Sequence, residues 1–478
     1  MKSEDISRRS FLKRAAALSA AAAIPSFWIP SKANAMPGVP FVSANEKVRI
    51  AFIGIGNRGG EIAQELYKTG LCEVVALCDV DMGAPHTQKL ISMFPKVPRF
   101  QDFRQMFDKM ADKIDAVTVG VPDHAHFPIT IEAMAHGKHV YVEKPMARTF
   151  QEIEVMMRAE KKFGVVTQMG NQGHSEANYF QFKAWLDAGI IKDVTAVDAH
   201  MNMSRRWHGY DVNIDRYPQA EPIPDGMDWD LWHTTQQFHE FNRKYHPGNW
   251  RSWYDFGMGA LGDWGAHILD TIHEFLNLGL PYEVEPIKLE GWNTYFFPMS
   301  STLRFKFPRR GEMPPVQITW YDGIGNYPQL PDGYGASQLG SDIPTVNGQK
   351  AQAIKLNPGK IIYAKDLIFK GGSHGSTLSI IPESKAKAMA DKLPEVPKSP
   401  SNHYENFLLA CMGEERTRSP FEVFGPLCQV FCLGVMVQRL NKKIVFDRET
   451  KRIVNDRFAD AMLTQTPPRK GWEEFYKM

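Results

Sequence analysis

The feature that most restricts this chain is a short apolar run, Val48-Arg49-Ile50-Ala51-Phe52-Ile53, ending on Gly54-Ile55-Gly56-Asn57-Arg58-Gly59. A strand that stops on G-x-G-x-x-G predicts a tight turn into a helix, here Glu61 to Lys68. A second strand follows at Glu73 to Cys78 and closes on Asp79, 20 residues beyond Gly59. The chemistry of that order is specific. Glycines let the backbone approach a pyrophosphate, the helix N-terminus stabilises its charge, and a carboxylate ending the second strand accepts hydrogen bonds from a ribose diol. The same carboxylate repels a 2′-phosphate and favours NAD over NADP. Arg58 pulls the other way, since a guanidinium beside the adenosine tolerates a phosphate, and Asp79 outweighs it.

The pattern continues. A third strand, Ala116 to Val121, runs into Pro122-Asp123-His124-Ala125-His126, a helix, and Gly137-Lys138-His139-Val140-Tyr141-Val142 before Glu143-Lys144-Pro145. Strands alternating with helices predict a parallel sheet whose ligands lie beyond the strands' carboxyl ends, where Pro122–His126 and Glu143–Pro145 both fall. His124 and His126 are metal-ligand types, but on a loop entering a helix they read as hydrogen-bond or nucleotide contacts, and no metal site is expected.

At 478 residues there is room for two or three domains. The net charge of +2 gives no footprint for nucleic acid, and without residues 1–35, which hold six Lys/Arg and two acids, it is −2. Those 35 residues read as an export signal: Ser7-Arg8-Arg9-Ser10-Phe11-Leu12-Lys13, an Ala-rich run from Ala15 to Ile24, and Ala33-Asn34-Ala35 as a small-x-small cleavage site. The paired arginines resemble the twin-arginine signal, which carries folded proteins across the bacterial inner membrane. The apolar run is short and followed by Pro25 and Pro30, so no stable membrane span is expected. The expected product is a soluble periplasmic protein beginning near Met36, with a linker over 36–46. The five cysteines, Cys72, Cys78, Cys411, Cys428 and Cys432, make no disulfide framework and read as core thiols.

The glycine motif, Asp79, Pro122-Asp123-His124-Ala125-His126, Gly137-Lys138-His139-Val140 and Glu143-Lys144-Pro145 together resemble, in order and spacing, the nucleotide half of the glucose-fructose oxidoreductase/inositol dehydrogenase/MocA (Gfo/Idh/MocA) family. Gly262-Asp263-Trp264-Gly265-Ala266-His267-Ile268-Leu269-Asp270 resembles its Asp-x-x-x-His signature. Asp228-Trp229-Asp230-Leu231-Trp232 and His403-Tyr404-Glu405-Asn406-Phe407-Leu408 are similar to exported, sugar-acting members. The resemblance implies an α/β fold: an NAD-binding Rossmann domain over 47–168, then an α+β domain over 169–478. The latter has a large, mostly antiparallel open sheet and C-terminal helices returning toward the first domain. It also implies a homo-oligomer built through the sheet's outer face.

For the site, it implies that Lys144 contacts both substrate and cofactor, positioned by Glu143 and Pro145. A crowded cationic surrounding would lower the pKa of such a lysine toward neutrality. Asp263 and His267, four apart, share a face if helical, and His267 is an alternative base. Asp270 reads either as a partner of His267 or as a helix-face acid. The expected cofactor contacts are Gly54, Gly56, Asn57, Arg58, Gly59, Asp79, Pro122, His126, Glu143 and Lys144.

Residues 205–264 hold six of the eleven tryptophans, Trp207, Trp229, Trp232, Trp250, Trp253 and Trp264, interleaved with His and Tyr. Aromatic faces suit pyranose C–H faces, and equally a core or a subunit interface. Trp264 is taken as a candidate substrate contact, as are Asn171 and His174 of Asn171-Gln172-Gly173-His174, which also suits a plain turn. Ser301–Phe307, Val316–Tyr321 and Lys360–Phe369 read as strands, Pro382–Pro400 as a surface connection, and Asn402–Met412 and Pro426–Leu440 as helices.

Export adds a constraint, because free NAD is not expected outside the cytoplasm, so the cofactor must travel inside the folded protein. The leading expectation is an exported NAD-dependent oxidoreductase acting on a secondary hydroxyl, C3 among the candidates, of a sugar or glycoside. The alternatives are a redox-neutral glycosidase working through a transient keto-sugar, or a non-catalytic NAD- and sugar-binding protein. Relatives that work as such glycosidases replace the Glu-Lys-Pro motif, which this chain keeps.

Overall fold

The computed structural model describes residues 41–477 apart from 44–45, 202–210, 336, 339–344, 347–348, 351–353 and 465–466. The export signal, most of the linker and Trp207 lie outside the described residues.

Strands β1 (Val48–Ile53), β2 (Cys72–Cys78), β3 (Arg99–Phe100), β4 (Ala116–Val119), β5 (His139–Val142) and β6 (Thr167–Met169) form one sheet in the order β3-β2-β1-β4-β5-β6. Every pairing is parallel. β1, β4 and β5 are almost wholly buried because helices cover both faces, which is why they read as continuous apolar runs rather than alternating ones. The strand order reverses between β1 and β4, and a crevice opens there at the carboxyl ends. Besides a short helix at Gln88–Met93, the helices that follow these strands are α1 (Asn57–Lys68), α2 (Phe103–Met110), α3 (His126–Ala135) and α4 (Phe150–Phe163). A reciprocal capping box of Thr149 and Glu152 starts α4, and Gly164 at φ 63° ends it.

After α5 (Ala177–Asp187), β7 (Ala196–Met201) enters a second, nine-stranded sheet. Its other strands are β8 (Glu283–Glu290), β9 (Ser300–Phe307), β10 (Val316–Asp322), β11 (Gly359–Tyr363), β12 (Ile368–Gly372), β13 (Leu378–Ile381), β14 (Ile444–Asp447) and β15 (Arg452–Ile453). Only β7 and β10 pair in parallel; the rest are antiparallel. On β9, Leu303, Phe305 and Phe307 are buried, while Arg304 and Lys306 face outward onto Glu285 and Glu283 of β8 at 3.0 and 2.6 Å. One face of the sheet is therefore core and the other carries an ion ladder.

Between β7 and β8 in the chain come α6 (Trp229–His233), α7 (Gly259–Ile268) and α8 (Asp270–Phe275); near the C-terminus come α9 (His403–Cys411) and α10 (Phe421–Leu440). α9 packs on α1, and α10 packs against α4, α7 and β8, so both helices return to the first half. α10 is long and apolar enough to cross a membrane by composition, but it is buried among these neighbours as a core helix. The glycines of α7 serve the same packing: a Cβ on Gly265 would lie 2.7 Å from the Phe431 ring of α10. All five cysteines are free and buried, as core thiols.

The structure refines three of the expected segments. Lys360–Phe369 is a hairpin, β11 and β12, because Ala364–Leu367 make a turn closed by Ala364 N–H donating to the Leu367 carbonyl. Pro382–Pro400 contains a helix, Glu383–Met389, built from good helix formers with Lys387 on Glu383 one turn away. α10 starts at Phe421, and Pro426 lies inside its second turn, where its missing N–H costs one bond in an otherwise buried helix.

The tryptophan-rich segment is also resolved. Trp229, Trp232, Trp250 and Trp253 are at most 5% exposed and form a separate aromatic core with Phe241, Tyr245, Phe256 and Phe296. They are not a carbohydrate platform. Among the described tryptophans of this segment, Trp264, on α7, alone stands partly open, beside the candidate site.

Candidate active site and nucleotide cleft

Gly54, at φ +78°, ends β1, and Gly59 in the first turn of α1 passes so close that a Cβ there would lie 2.0 Å from the Gly54 carbonyl oxygen. That contact sets how tightly α1 seats over the strand ends. Gly59→Ala is expected to destabilise the fold by about 1–3 kcal/mol and to abolish dinucleotide binding, read by a denaturant midpoint and an NAD titration. Wild-type values in both would show that the turn packs differently.

α1 begins at Gly56 without a side-chain cap and with no acid in its first turn, so its N-terminal N–H groups remain available to an anion. Gly54, Gly56, Asn57, Arg58, Asp79 and Pro122 line one cleft over the ends of β1, β2 and β4. Asp79 accepts the N–H groups of Ile55 at 2.9 Å and Asp81 at 3.0 Å, which ties the end of β2 to the glycine turn. Burial pushes its carboxyl up, and those two N–H groups pull the other way. The residues present fit a dinucleotide.

Arg58 reaches Glu143 at 3.4 Å, Glu61 at 3.1 Å and the Tyr404 hydroxyl at 3.3 Å, so its charge is engaged on the Glu143 side of α1. Glu143 is buried, and its Oε2 accepts the Lys144 N–H at 3.3 Å. His126 does not line the cleft. Its ring nitrogens lie 2.7 Å from the Pro145 carbonyl and 2.9 Å from that of Val121, and burial lowers its pKa to about 4. A neutral imidazole has one N–H, so it donates to one of these carbonyls and packs against the other, which places His126 between the segments that follow β4 and β5 rather than in the cleft.

Lys144, just past β5, places Nζ 2.6 Å from Asp263 Oδ1 and 3.1 Å from the Asp263 carbonyl. The expected all-cationic surrounding is absent, because this lysine stands in an ion pair. Asp263 and His267 both lie on α7, as their spacing predicted. His267 Nδ1 lies 2.9 Å from Asn171 Oδ1. Asn171 Nδ2 donates to the Ala266 carbonyl at 2.9 Å and to Asp270 Oδ2 at 3.2 Å, which fixes the amide's orientation. His267 must therefore donate from Nδ1 and keep its lone pair on Nε2. Burial, then the charge of Lys144 and the neighbouring His374, lowers its pKa well below the ordinary histidine value, so it is neutral.

Sequence reasoning missed three contributors. His374 stacks on His267 with ring centroids 4.0 Å apart and planes 15° apart, and Trp264 meets His374 edge-on. It sits at φ 55° in the loop after β12, with its N–H on the His267 carbonyl at 3.0 Å. Lys360 of β11, 1% exposed, stands 3.9 Å from Asp270. Asp270 in turn faces His174, whose other ring nitrogen meets Glu274. Asn171 and His174 are thus fully buried behind His267 rather than open to a substrate. Among the described residues no cluster of three or more His, Cys, Asp or Glu is arranged to hold a metal.

Two family models match consecutive stretches: the oxidoreductase family NAD-binding Rossmann fold over residues 48–171, and the C-terminal alpha/beta domain of the same family over 181–290. Curated relatives include an alpha-N-acetylgalactosaminidase of Shewanella oneidensis, 29% identical over 229 residues (44% of this chain, 49% of that one). Glycosyl hydrolase family 109 protein 1 of a Shewanella species is 28% identical over 219 residues (38% and 47%). The chain thus spans about half the length of the curated relatives it matches. Among solved structures, the WlbA dehydrogenase from Bordetella pertussis in complex with NADH and UDP-GlcNAcA aligns at TM-score 0.54 and 14% identity, covering 84% of this chain and 99% of that one. The aldose-aldose oxidoreductase from Caulobacter crescentus aligns at TM-score 0.51 and 16% identity, covering 84% and 100%. At these identities the structural likeness speaks for the fold. With both domain models matched in sequence order and the glycine turn, cleft and strand order in place, the chain belongs, over residues 48–171 and 181–290, to the Gfo/Idh/MocA oxidoreductase family.

Proposed function

We propose that the protein is an exported, NAD-dependent oxidoreductase that acts on a secondary hydroxyl of a sugar or glycoside, with Lys144 as hydrogen-bond donor to the reacting oxygen and His267 as the base. The observation that carries this reading is the division of labour at the site. Lys144 stands in an ion pair with Asp263, while His267 is neutral, with Nδ1 committed to Asn171 and a lone pair on Nε2. Oxidising an alcohol needs that combination: a cation to stabilise developing negative charge on oxygen and an acceptor for the hydroxyl proton. A bound dinucleotide supplies the hydride acceptor. The α1 N-terminus would hold its pyrophosphate and Asp79 its ribose diol, and that carboxylate supports NAD over NADP. Arg58 is engaged with Glu143, which supports the same choice. Trp264 offers a partly open aromatic edge to a sugar ring beside His267 and His374. The twin-arginine-like N-terminus supports a periplasmic location with the cofactor carried in the folded protein.

A second reading is favoured by the names of the curated relatives. In a redox-neutral glycosidase, transient oxidation acidifies the adjacent C–H, the aglycone is eliminated, water adds and the hydride returns. The same Lys144 and His267 serve both reactions. One experiment separates them: incubate the holoprotein with aryl glycosides, including an α-N-acetylgalactosaminide, and with free sugars, following aglycone and reduced nucleotide together. Reduced nucleotide that accumulates with keto-sugar supports the oxidoreductase, whereas aglycone release with no net change in nucleotide supports the glycosidase. If no sugar exchanges hydride with the bound nucleotide, both readings fall and a binding protein takes their place.

A further inference from the structure

We propose that residues 226–256 form a second wall of the dinucleotide site, enclosing its adenosine half and donating to it through Trp232 Nε1–H and the Thr234 hydroxyl. The proposal rests on the reading of the cleft as a dinucleotide site and goes beyond it, since a Rossmann half alone leaves this side open.

Four observations support it. First, Trp232, Thr234, His246 and Arg251 line the same cleft as Asp79 and Phe103. Asp79 marks the ribose side, and the apolar surface of Phe103 and Trp232 suits a flat base. Second, Trp232 Nε1, Thr234 Oγ1 and His246 Nδ1 are buried with no hydrogen-bond partner among the described residues, while His246 Nε2 stands 3.5 Å from Asp81. Trp232 and Thr234 are each 3% exposed. Buried donors are normally paired, and several unpaired ones along one cleft point to a polar ligand that pairs them. The ring nitrogens and hydroxyls of an adenosine are such acceptors.

Third, the wall is fixed at both ends to the Rossmann half. Gln101 Nε2 donates to the Gly226 carbonyl at 2.7 Å, Asp228 N–H to that of Val80 at 2.9 Å, and Met258 N–H to Asp123 Oδ2 at 3.1 Å. Between these feet His124 Nε2 meets the Trp232 carbonyl at 2.7 Å, and Arg148 reaches Gln236 at 2.8 Å and the Tyr254 carbonyl at 3.1 Å. Trp232 itself is clamped from behind by Trp229, stacked at 4.3 Å, and by Phe256. Fourth, Thr234 adopts φ +48°, which a β-branched residue rarely does, and its carbonyl is held there by Arg469 Nε at 3.1 Å. A wall held this way does not swing aside freely, so bound nucleotide leaves slowly.

The test uses the full-length holoprotein and two variants: Thr234→Val, which removes the hydroxyl and keeps the shape, and Trp232→Phe, which removes the Nε1–H together with part of a buried ring and so also loosens the aromatic core. Release of labelled NAD is timed after dilution, and affinities for ADP-ribose and for nicotinamide mononucleotide are measured by competition. Each variant is expected to release NAD about three- to tenfold faster and to lose ADP-ribose affinity by the same factor, with nicotinamide mononucleotide affinity unchanged; the nucleotide-free melting temperature should hold in Thr234→Val and fall in Trp232→Phe, so Thr234→Val separates the lost donor from lost packing. If wild-type protein binds NAD while both variants keep release and ADP-ribose affinity within about twofold, the wall is structural only and the proposal is wrong, with the dinucleotide reading intact. If wild-type protein binds no dinucleotide at all, that reading falls and the proposal with it.

Discussion

Lys144→Ala and His267→Ala are each expected to slow hydride exchange between sugar and bound nucleotide by about 10²–10⁴-fold, the range for losing a positioned donor or base. Nucleotide content should stay at the wild-type level. Single-turnover rates with pre-bound nucleotide are the right measurement, because they separate the chemical step from release. The double variant should fall little below the worse single one, since both groups act on the same O–H bond. The pH profile gives an independent check with a definite sign. A base must be neutral to work, and burial together with Lys144 and His374 holds the His267 pKa well below 6.5. The acid limb of the single-turnover rate is therefore displaced to clearly lower pH than an ordinary histidine gives. A limb centred at 6.5 would mean that His267 is not the base, and a Lys144→Ala variant at wild-type rate would remove the donor from the mechanism.

What the sequence made legible at this site follows from how local each signal is. The glycine turn, Asp79, Lys144 and the Asp263/His267 pair each sit in a contiguous motif whose strand-turn-helix or i, i+4 geometry is fixed within a few residues, so the chain can be read without its tertiary context. His374 and Lys360 reach the site from the second sheet, and no spacing connects them to His267. The structure is needed to show an imidazole stacked at 4.0 Å and a buried lysine 3.9 Å from Asp270. The histidines are ambiguous for a related reason. His126 and His174 have the same side chain, and only their neighbours decide that one is a neutral ring packed between two carbonyls and the other a buried ion-pair partner. Composition could say that residues 205–264 are aromatic, but not which way the rings face. Among the described residues, Trp229, Trp232, Trp250 and Trp253 turn inward and Trp264 stands partly open at the site.

Asp270→Ala is expected to cost about 3–5 kcal/mol of stability, because it strips the carboxylate from a buried group of charges rather than from a surface pair. Asp270 lies between His174 Nδ1 at 3.4 Å and Lys360 Nζ at 3.9 Å, and accepts from Asn171 at 3.2 Å. Burial alone would raise its carboxyl, but the hydrogen bond from His174 and the charge of Lys360 bring it down to about 2. Burial likewise opposes charge on His174, yet Glu274 and Asp270 outweigh it and raise its pKa to about 9. The two shifts have opposite signs in pH. The share of stability from His174 is complete below its ordinary 6.5 and is lost as pH rises through about 9. The share from Asp270 is complete above 3.8 and is lost as pH falls through about 2. Both are intact only between roughly pH 4 and 6.5, where denaturant stability should peak if these groups dominate. Asp270→Asn keeps an acceptor for Asn171 and hence the His267 tautomer, but removes one of the two charges that hold His174 protonated, Glu274 being the larger. It should therefore retain far more activity than Asp270→Ala and flatten the decline in stability between pH 6.5 and 9. Equilibrium unfolding across that range decides the matter: a variant with the wild-type slope would mean that Asp270 contributes nothing to the linked proton on His174, which Glu274 alone would hold.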